Sequence, residues 1–309
     1  MNLGSDSLAP KHTVAGKDLW QWWQAARQQA QSTAIDSAEV DWLLRAVSNV
    51  DSLALRLGTF KQHPVTLVGV SLEGLTELWQ QRVEQRVPVQ YLVGWTSWRD
   101  LTLKVSPAVL IPRPETELII DLALDAIHLS PQAEQLQQGI WVDMGTGSGA
   151  IALALAKALP KAQIYAVDVS AVALATAREN ARLNGLEPRI TFCEGAWFAP
   201  LAELKGQVAG LVSNPPYIPT ATVQGLEPEV VNHEPTLALD GGPDGLDAMR
   251  ELIKTAPDYL CSGGFWLAEM MSGQSPAVRA LLEQQGTYRA IQVHSDLAGI
   301  ERFSSAFRI

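Results

Sequence analysis

The sequence predicts an α/β fold, a mostly parallel sheet with helices on both faces, preceded by a small helical bundle. Two patterns and the stretch between them predict it. From residue 140 onward, short apolar runs (IWVDM, QIYAVDV, ITFCEG, VAGLVSN, GFWLAEM) alternate with helical segments, as strands buried on both faces by crossover helices must. Before residue 90 such runs are absent and amphipathic helical periodicity dominates. Between the two lies YLVGWTSWRDLTLKV, in which β-prone residues alternate around a polar Arg99-Asp100 turn, the signature of a hairpin.

The elements follow in order. Residues 1–16 mix Ser, Pro, Gly and Lys without period and are expected to form a mobile tail. Residues 17–90 are expected to form the helical domain. DLWQWWQAARQQAQ takes Asp18 as N-cap, SAEVDWLLRAV takes Ser37, and SLEGLTELWQQRVEQR takes Ser71. Trp20, Trp23, Trp42 and Trp79 fall where they can face one another as core anchors or form an exposed aromatic patch for a protein partner. Residues 91–113 are expected to be a hairpin linker, and 114–309 the α/β domain. SPAVLIPRPETELII is a proline-punctuated loop entering a helix, and the segment 218–245, rich in Pro and Gly, is a long loop of the kind that usually carries function.

Composition narrows the function classes. A chain of 309 residues with 47% apolar and 18% charged content buries a sizeable core. No apolar run approaches the roughly eighteen residues of a membrane span, and the start lacks a secretory pattern, so a cytoplasmic, membrane-independent protein is expected. Cys193 and Cys261 sit far apart in apolar runs, which predicts free buried thiols and no metal site. The net charge of −10 lies almost wholly beyond residue 90. An acidic catalytic half opposes a phosphate backbone and argues against direct nucleic-acid binding.

Chemistry is concentrated in three places. DMGTGSGAIALALA sets Gly145, Thr146, Gly147, Ser148 and Gly149 between a strand and a helix, where glycines let the backbone bend and approach a ligand closely. This G-x-G-x-G spacing is neither a P-loop nor the dinucleotide fingerprint. The next strand ends at Asp168, placed to accept hydrogen bonds from both hydroxyls of a ribose. The fourth strand ends at Asn214-Pro215-Pro216-Tyr217, on the edge that carries the glycine loop. A nucleoside cofactor beside such a tetrapeptide points to S-adenosylmethionine and methylation of a planar nitrogen. The Asn214 side-chain oxygen and the Pro215 carbonyl can each accept one N–H of a flat NH₂ group, while Pro216 or Tyr217 restrains its plane.

These motifs, with LIPRPETE at 110–117, NPPYIP and EPTLALDGGPDGLD at 234–247, closely resemble the peptide chain release factor glutamine N5-methyltransferases over nearly the whole chain. IPRPETE separates them from the related ribosomal-protein glutamine methyltransferases. The resemblance implies a seven-stranded Rossmann-like S-adenosylmethionine-dependent methyltransferase domain, yielding S-adenosylhomocysteine. It implies methylation of the glutamine in the GGQ motif of class-1 release factors, with the helical domain docking the factor and the enzyme acting as a monomer. It assigns Gly145 to Gly149, Asp168, Trp197 and Asn214 to the cofactor, and Asn214 to Tyr217 to catalysis and the glutamine. Two features depart from the family: Ala196 stands before Trp197 where an acidic residue is common, and the chain closes on FSSAFRI without the usual Gly-Arg.

Several roles stay open on sequence alone. Arg113 and Glu115 either order a loop at the cofactor or pair with one another on the surface. Glu234 and Asp240 either bind substrate or are solvated, and His233 has no metal-ligand spacing. Two rival functions remain, an N6-adenine methyltransferase acting on a flipped base and a non-catalytic cofactor-binding scaffold in translation.

Overall fold

In the computed structural model residues 9–309 are described, and they fall into two compact units divided after Gly94. The first begins with strand β1 (Lys11–Val14) and continues through α1 (Gly16–Ser32), α2 (Ala38–Val47), α3 (Ser52–Leu57), β2 (Val65–Val68), α4 (Leu72–Gln85) and α5 (Val89–Val93). β1 pairs antiparallel with β2, Lys11 opposite Val68. The expected tail over 1–16 is therefore corrected for its second half, because backbone pairing with β2 holds residues 11–14; residues 1–8 lie outside the described region. Helix α1 starts at Gly16, with Ala15 in place of Asp18 as N-cap. A Cβ at Gly16 would collide with the carbonyls of Phe60 and His63, so the glycine permits a close approach that draws the helix start forward. Asp18 instead sits in the first turn, where its charge complements the helix dipole. Ser71 caps α4 through the Gly74 amide at 3.1 Å, whereas Ser37 makes no side-chain cap and Asp36 accepts from the Ala38 amide.

Helices α1, α2 and α4 close over Leu19, Leu43, Leu44, Leu75 and Trp79. Trp79 is a core residue whose Nε1 donates to Gln29. Trp20, Trp23 and Trp42 are half-buried and pack against the same cluster, which places all four tryptophans with the core.

The second unit opens with the hairpin β3 (Trp95–Trp98) and β4 (Leu101–Lys104), turned at Arg99 with φ +50°. The linker expected over 91–113 is corrected at its start and in its middle. Residues 91–93 complete α5, and Trp98, Leu101 and Leu103 are buried in the core of the second unit. There follow α6 (Leu118–Leu129), α7 (Ala133–Gln138), β5 (Ile140–Met144), α8 (Ala150–Ala158), β6 (Gln163–Asp168), α9 (Ala171–Leu183), β7 (Ile190–Glu194) and β8 (Val208–Ser213). The chain then forms α10 (Thr220–Val223), α11 (Pro228–Val231), α12 (Asp247–Tyr259), β9 (Leu260–Glu269), α13 (Ser275–Gln285), β10 (Tyr288–Ser295) and β11 (Glu301–Arg308).

The seven strands β5 to β11 make one sheet in the order β10-β11-β9-β8-β5-β6-β7, parallel except for β11, which runs antiparallel to both neighbours. Alternate residues feed two cores. Trp141 and Val212 face α6 and α8, while Val142 and Leu211 face α12 and α13. Cys193 and Cys261 are free and half-buried, the burial raising both thiol pKa values. Among the described residues, no helix is long and apolar enough to cross a membrane.

The central pair β5 and β8 is tightly fitted, because Trp141 pairs with Gly210 and its fully buried indole lies where a Gly210 side chain would be. The Gly210→Ala protein is expected to lose about 1–3 kcal/mol in urea unfolding through overpacking; unchanged stability would mean that the indole does not fill that space.

Candidate methyl-transfer site

The site grows out of the switch point of the sheet, where β5 lies between β6 and β8. Met144 and Ser213 are register partners, and the Ser213 hydroxyl donates to the Met144 carbonyl at 2.7 Å. The chain segments leaving these two strand ends, the glycine loop and Asn214, therefore emerge side by side. The loop is held from three directions. Gly145 and Thr146 amides both donate to the Val167 carbonyl on β6 at 2.9 Å. Asp143 Oδ2 accepts from the Thr146 hydroxyl (2.6 Å) and the Ala152 amide (3.0 Å), joining the loop to the first turn of α8. The buried Asn180 of α9 donates to the carbonyls of Ser148 and Lys104, fastening loop and hairpin to one side chain.

Positive φ values at Gly145 (+74°) and Gly147 (+54°) favour glycine, and a Cβ at either would meet no protein atom within 4 Å. These two glycines form one wall of a cavity of about 360 Å³. Asp168, Trp197, Asn214 and Pro216 line it too, as the sequence reading requires, together with Ala196. Asp168 accepts from the Gly147 amide through one oxygen and the Ser170 amide through the other, both at 2.9 Å. Each oxygen retains a lone pair for a further donor. Trp197 holds its ring at the cavity from a strained backbone at φ +50°, a conformation costing about 1 kcal/mol that marks positions where geometry matters. Thr146, Ser148, Gly149, Pro215 and Tyr217 do not line the cavity. Gly149 caps α8 where a Cβ would press on Ala177, Thr146 is turned toward Asp143, and Pro215 is buried.

Asn214 donates from Nδ2 to the Thr116 hydroxyl oxygen at 3.1 Å. Thr116 in turn donates to Glu269 Oε2 at 2.7 Å, and the Tyr217 hydroxyl donates to Glu269 Oε1 at 3.0 Å. Burial raises the Glu269 pKa, against the lowering effect of these two donors and of Arg302. Burial likewise raises that of Tyr217, helped by the neighbouring Glu269. Thr116 and Glu269 were not singled out from the sequence. Their signals were a charge closing the apolar run GFWLAEM and a hydroxyl inside PETE.

Arg113 pairs with Glu234 at 2.6 Å, not with Glu115, and the Glu234 side chain is 1% exposed. The pair ties the loop before α6, whose residues Ala108 to Leu110 line the cavity, to the segment of Pro235, Leu237 and Ala238 on its other side. Asp240 accepts from Thr220 and from the Gly242 amide and so organises its own loop.

A protein of Synechocystis sp. described as release factor glutamine methyltransferase is 52% identical over 299 residues, covering 96% of this chain and 98% of its own. The chain belongs to the release factor glutamine methyltransferase family. A second member, from Thermosynechococcus vestitus, is 44% identical over 94% of this chain and 98% of its own. The methyltransferase small domain family matches residues 124–234, which include the glycine loop, Asp168 and the NPPY corner. Among solved structures, the hMettl16 catalytic domain in complex with MAT2A 3′UTR hairpin 6 superposes with a TM-score of 0.54 at 15% identity, over 85% of this chain and 87% of that one. At that identity the likeness shows the Rossmann-like methyltransferase fold alone. Membership of this methyltransferase family implies S-adenosylmethionine as methyl donor.

Asp143 offers a check on the loop. Burial raises its pKa to about 7, with Asp168 adding to the rise and its two hydrogen-bond donors opposing it. The folded state thus holds this proton more tightly than the unfolded chain. The contribution is complete below about pH 4 and is lost as pH rises toward 7. The stability of wild type relative to Asp143→Asn should fall by about 2–4 kcal/mol between pH 4 and 7.5 in denaturant titrations. Parallel profiles would contradict the assigned burial.

Proposed function

We propose that this protein transfers the methyl group of S-adenosylmethionine to the side-chain amide nitrogen (N5) of the glutamine in the GGQ motif of class-1 peptide chain release factors. The supporting observation is that Asn214 lines the glycine-loop cavity while its NH₂ end is engaged by Thr116, which leaves Oδ1 for a ligand. An acceptor oxygen at that point suits an incoming N–H.

The cavity fits the cofactor. Gly145 and Gly147 leave space that any side chain would take, Asp168 has lone pairs for ribose hydroxyls, and Trp197 offers a flat apolar face for a base. Once bound, S-adenosylmethionine supplies an electrophilic methyl group on a sulfonium. The protein's part is to hold the acceptor. Asn214 Oδ1 accepts one N–H of the glutamine amide and the backbone carbonyl of the otherwise buried Pro215 is assigned the other, which orients the nitrogen and stabilises the positive charge that develops on it. Pro216, which lines the cavity, or Tyr217, whose phenol is fixed by Glu269, restrains the plane of the amide. The methylated nitrogen sheds its proton to solvent, S-adenosylhomocysteine leaves, and no metal takes part.

In this reading residues 114–309 carry the chemistry and residues 17–90 dock the release factor, in the cytoplasm. Incubation with labelled S-adenosylmethionine is expected to label a release factor, but neither a factor with its GGQ glutamine replaced nor DNA. Label in DNA would favour the adenine reading, and no label at all the scaffold. In Asn214→Ala, transfer is expected to fall about 100-fold or more, with cofactor affinity within about threefold of wild type. Normal turnover at saturating cofactor would contradict the role given to Asn214.

A further inference from the structure

The NPPY corner has two polar ends, and one buried group reaches both. Glu269 closes β9, and the register pair Ser213 with Ala268 brings it level with Asn214 as the two strands end. It is 1% exposed. One carboxylate oxygen accepts from Tyr217, the last residue of the corner, and the other from Thr116, whose oxygen accepts from Asn214, the first. Arg302 lies near enough to favour the charged carboxylate, although its Nε is given to Asp296 at 2.7 Å. Nothing in the transfer step uses Glu269 directly.

The donor and acceptor count assigns it a task. A carboxylate only accepts, and a threonine hydroxyl has a single hydrogen. With that hydrogen spent on Glu269, Thr116 presents only lone pairs to Asn214, and only the NH₂ end of the asparagine can satisfy them. Asparagine amides are otherwise close to symmetric in shape, and the flipped rotamer would put two donors where the substrate NH₂ must find an acceptor. We propose that Glu269 and Thr116 are positioning residues that set the direction of the Asn214 amide, holding its oxygen toward the acceptor nitrogen. Glutamine at 269 keeps the shape but has one acceptor atom for two hydroxyls. Where Thr116 meets the new NH₂, its hydrogen turns toward Asn214 and favours the flip.

This inference rests on the reading of Asn214 as the group that holds the methylated amide, so the test reads the two separately. Steady-state methylation of a release factor and cofactor binding are measured for wild type, Thr116→Ser, Thr116→Val and Glu269→Gln, alongside ¹H–¹⁵N spectra of the side-chain amides. The Asn214 signal is the one missing from Asn214→Ala. The expected result is a loss of kcat of about 30-fold or more in Thr116→Val and Glu269→Gln. Thr116→Ser is expected to recover kcat to within about threefold, and the Kd for S-adenosylmethionine to stay within about twofold throughout. In the spectra, one Asn214 amide proton should be protected from exchange in wild type and Thr116→Ser and lose protection in Thr116→Val. Equal kcat in the Thr116→Val and Thr116→Ser proteins, or an Asn214 resonance indifferent to the hydroxyl, overturns the proposal. If wild type itself fails to methylate the factor, the functional reading falls, and the Asn214 resonance alone decides the relay.

Discussion

The parallel pairing of β5 with β6 on one side and β8 on the other is the constraint from which the site follows. Three strands in register end at one edge, so the glycine loop, Asp168 and Asn214 meet there although nearly seventy residues separate the first from the last. The pairing in turn depends on a close fit, with Trp141 on β5 packed over the bare backbone of Gly210 on β8. Burial of both sheet faces makes this edge rigid, since strands covered on two sides cannot slip register without exposing a full row of apolar side chains. The Asn214–Tyr217 corner inherits that rigidity. Its prolines carry the fixed direction of β8 into the cavity wall with little freedom to relax.

On this apolar frame sits a small set of buried polar groups that tie separate segments together, although Oδ1 of one of them, Asp143, has no hydrogen-bond partner among the described residues. Asp143 organises the glycine loop, Asn180 joins that loop to the hairpin, Glu234 with Arg113 joins the two segments flanking the cavity, and Glu269 joins the two ends of NPPY. Desolvating such groups is costly, which is why burial raises the pKa of Asp143. Their value lies in direction. Each specifies one orientation of a loop or an amide where apolar contacts alone would accept several. The hydroxyl of Thr116 is the clearest case, because its single hydrogen goes to Glu269 and its oxygen accepts from the NH₂ end of Asn214.

Much of this was legible in the sequence where local pattern and tertiary environment agree. IWVDM is β5 to the residue, and the runs around QIYAVDV, ITFCEG and VAGLVSN are β6, β7 and β8, because strands buried on both faces are nearly continuous apolar runs bounded by turn residues. The cavity-lining positions Gly145, Gly147, Asp168, Asn214 and Pro216 were legible from their place at or just beyond a strand end, whereas Trp197 was indicated only by the family resemblance. Strand β1 was not, since KHTV has neither length nor apolar content and exists through β2. β10 and β11 read poorly because exposed and buried positions in them do not alternate cleanly around the bulges of their pairing. Thr116 and Glu269 were missed because their importance arises from a contact across 153 positions, which no local window contains.

We assign the oxygen of Asn214, and not its nitrogen, to meet the amide to be methylated. The most direct measurement is a diffraction structure, at a resolution that shows hydrogens, of the enzyme with S-adenosylhomocysteine and a GGQ-bearing release factor fragment. The expected result is Asn214 Oδ1 in a hydrogen bond with the glutamine Nε2, with the Asn214 hydrogens directed at Thr116. A glutamine amide bound elsewhere, or met by the Asn214 NH₂ group, would contradict it.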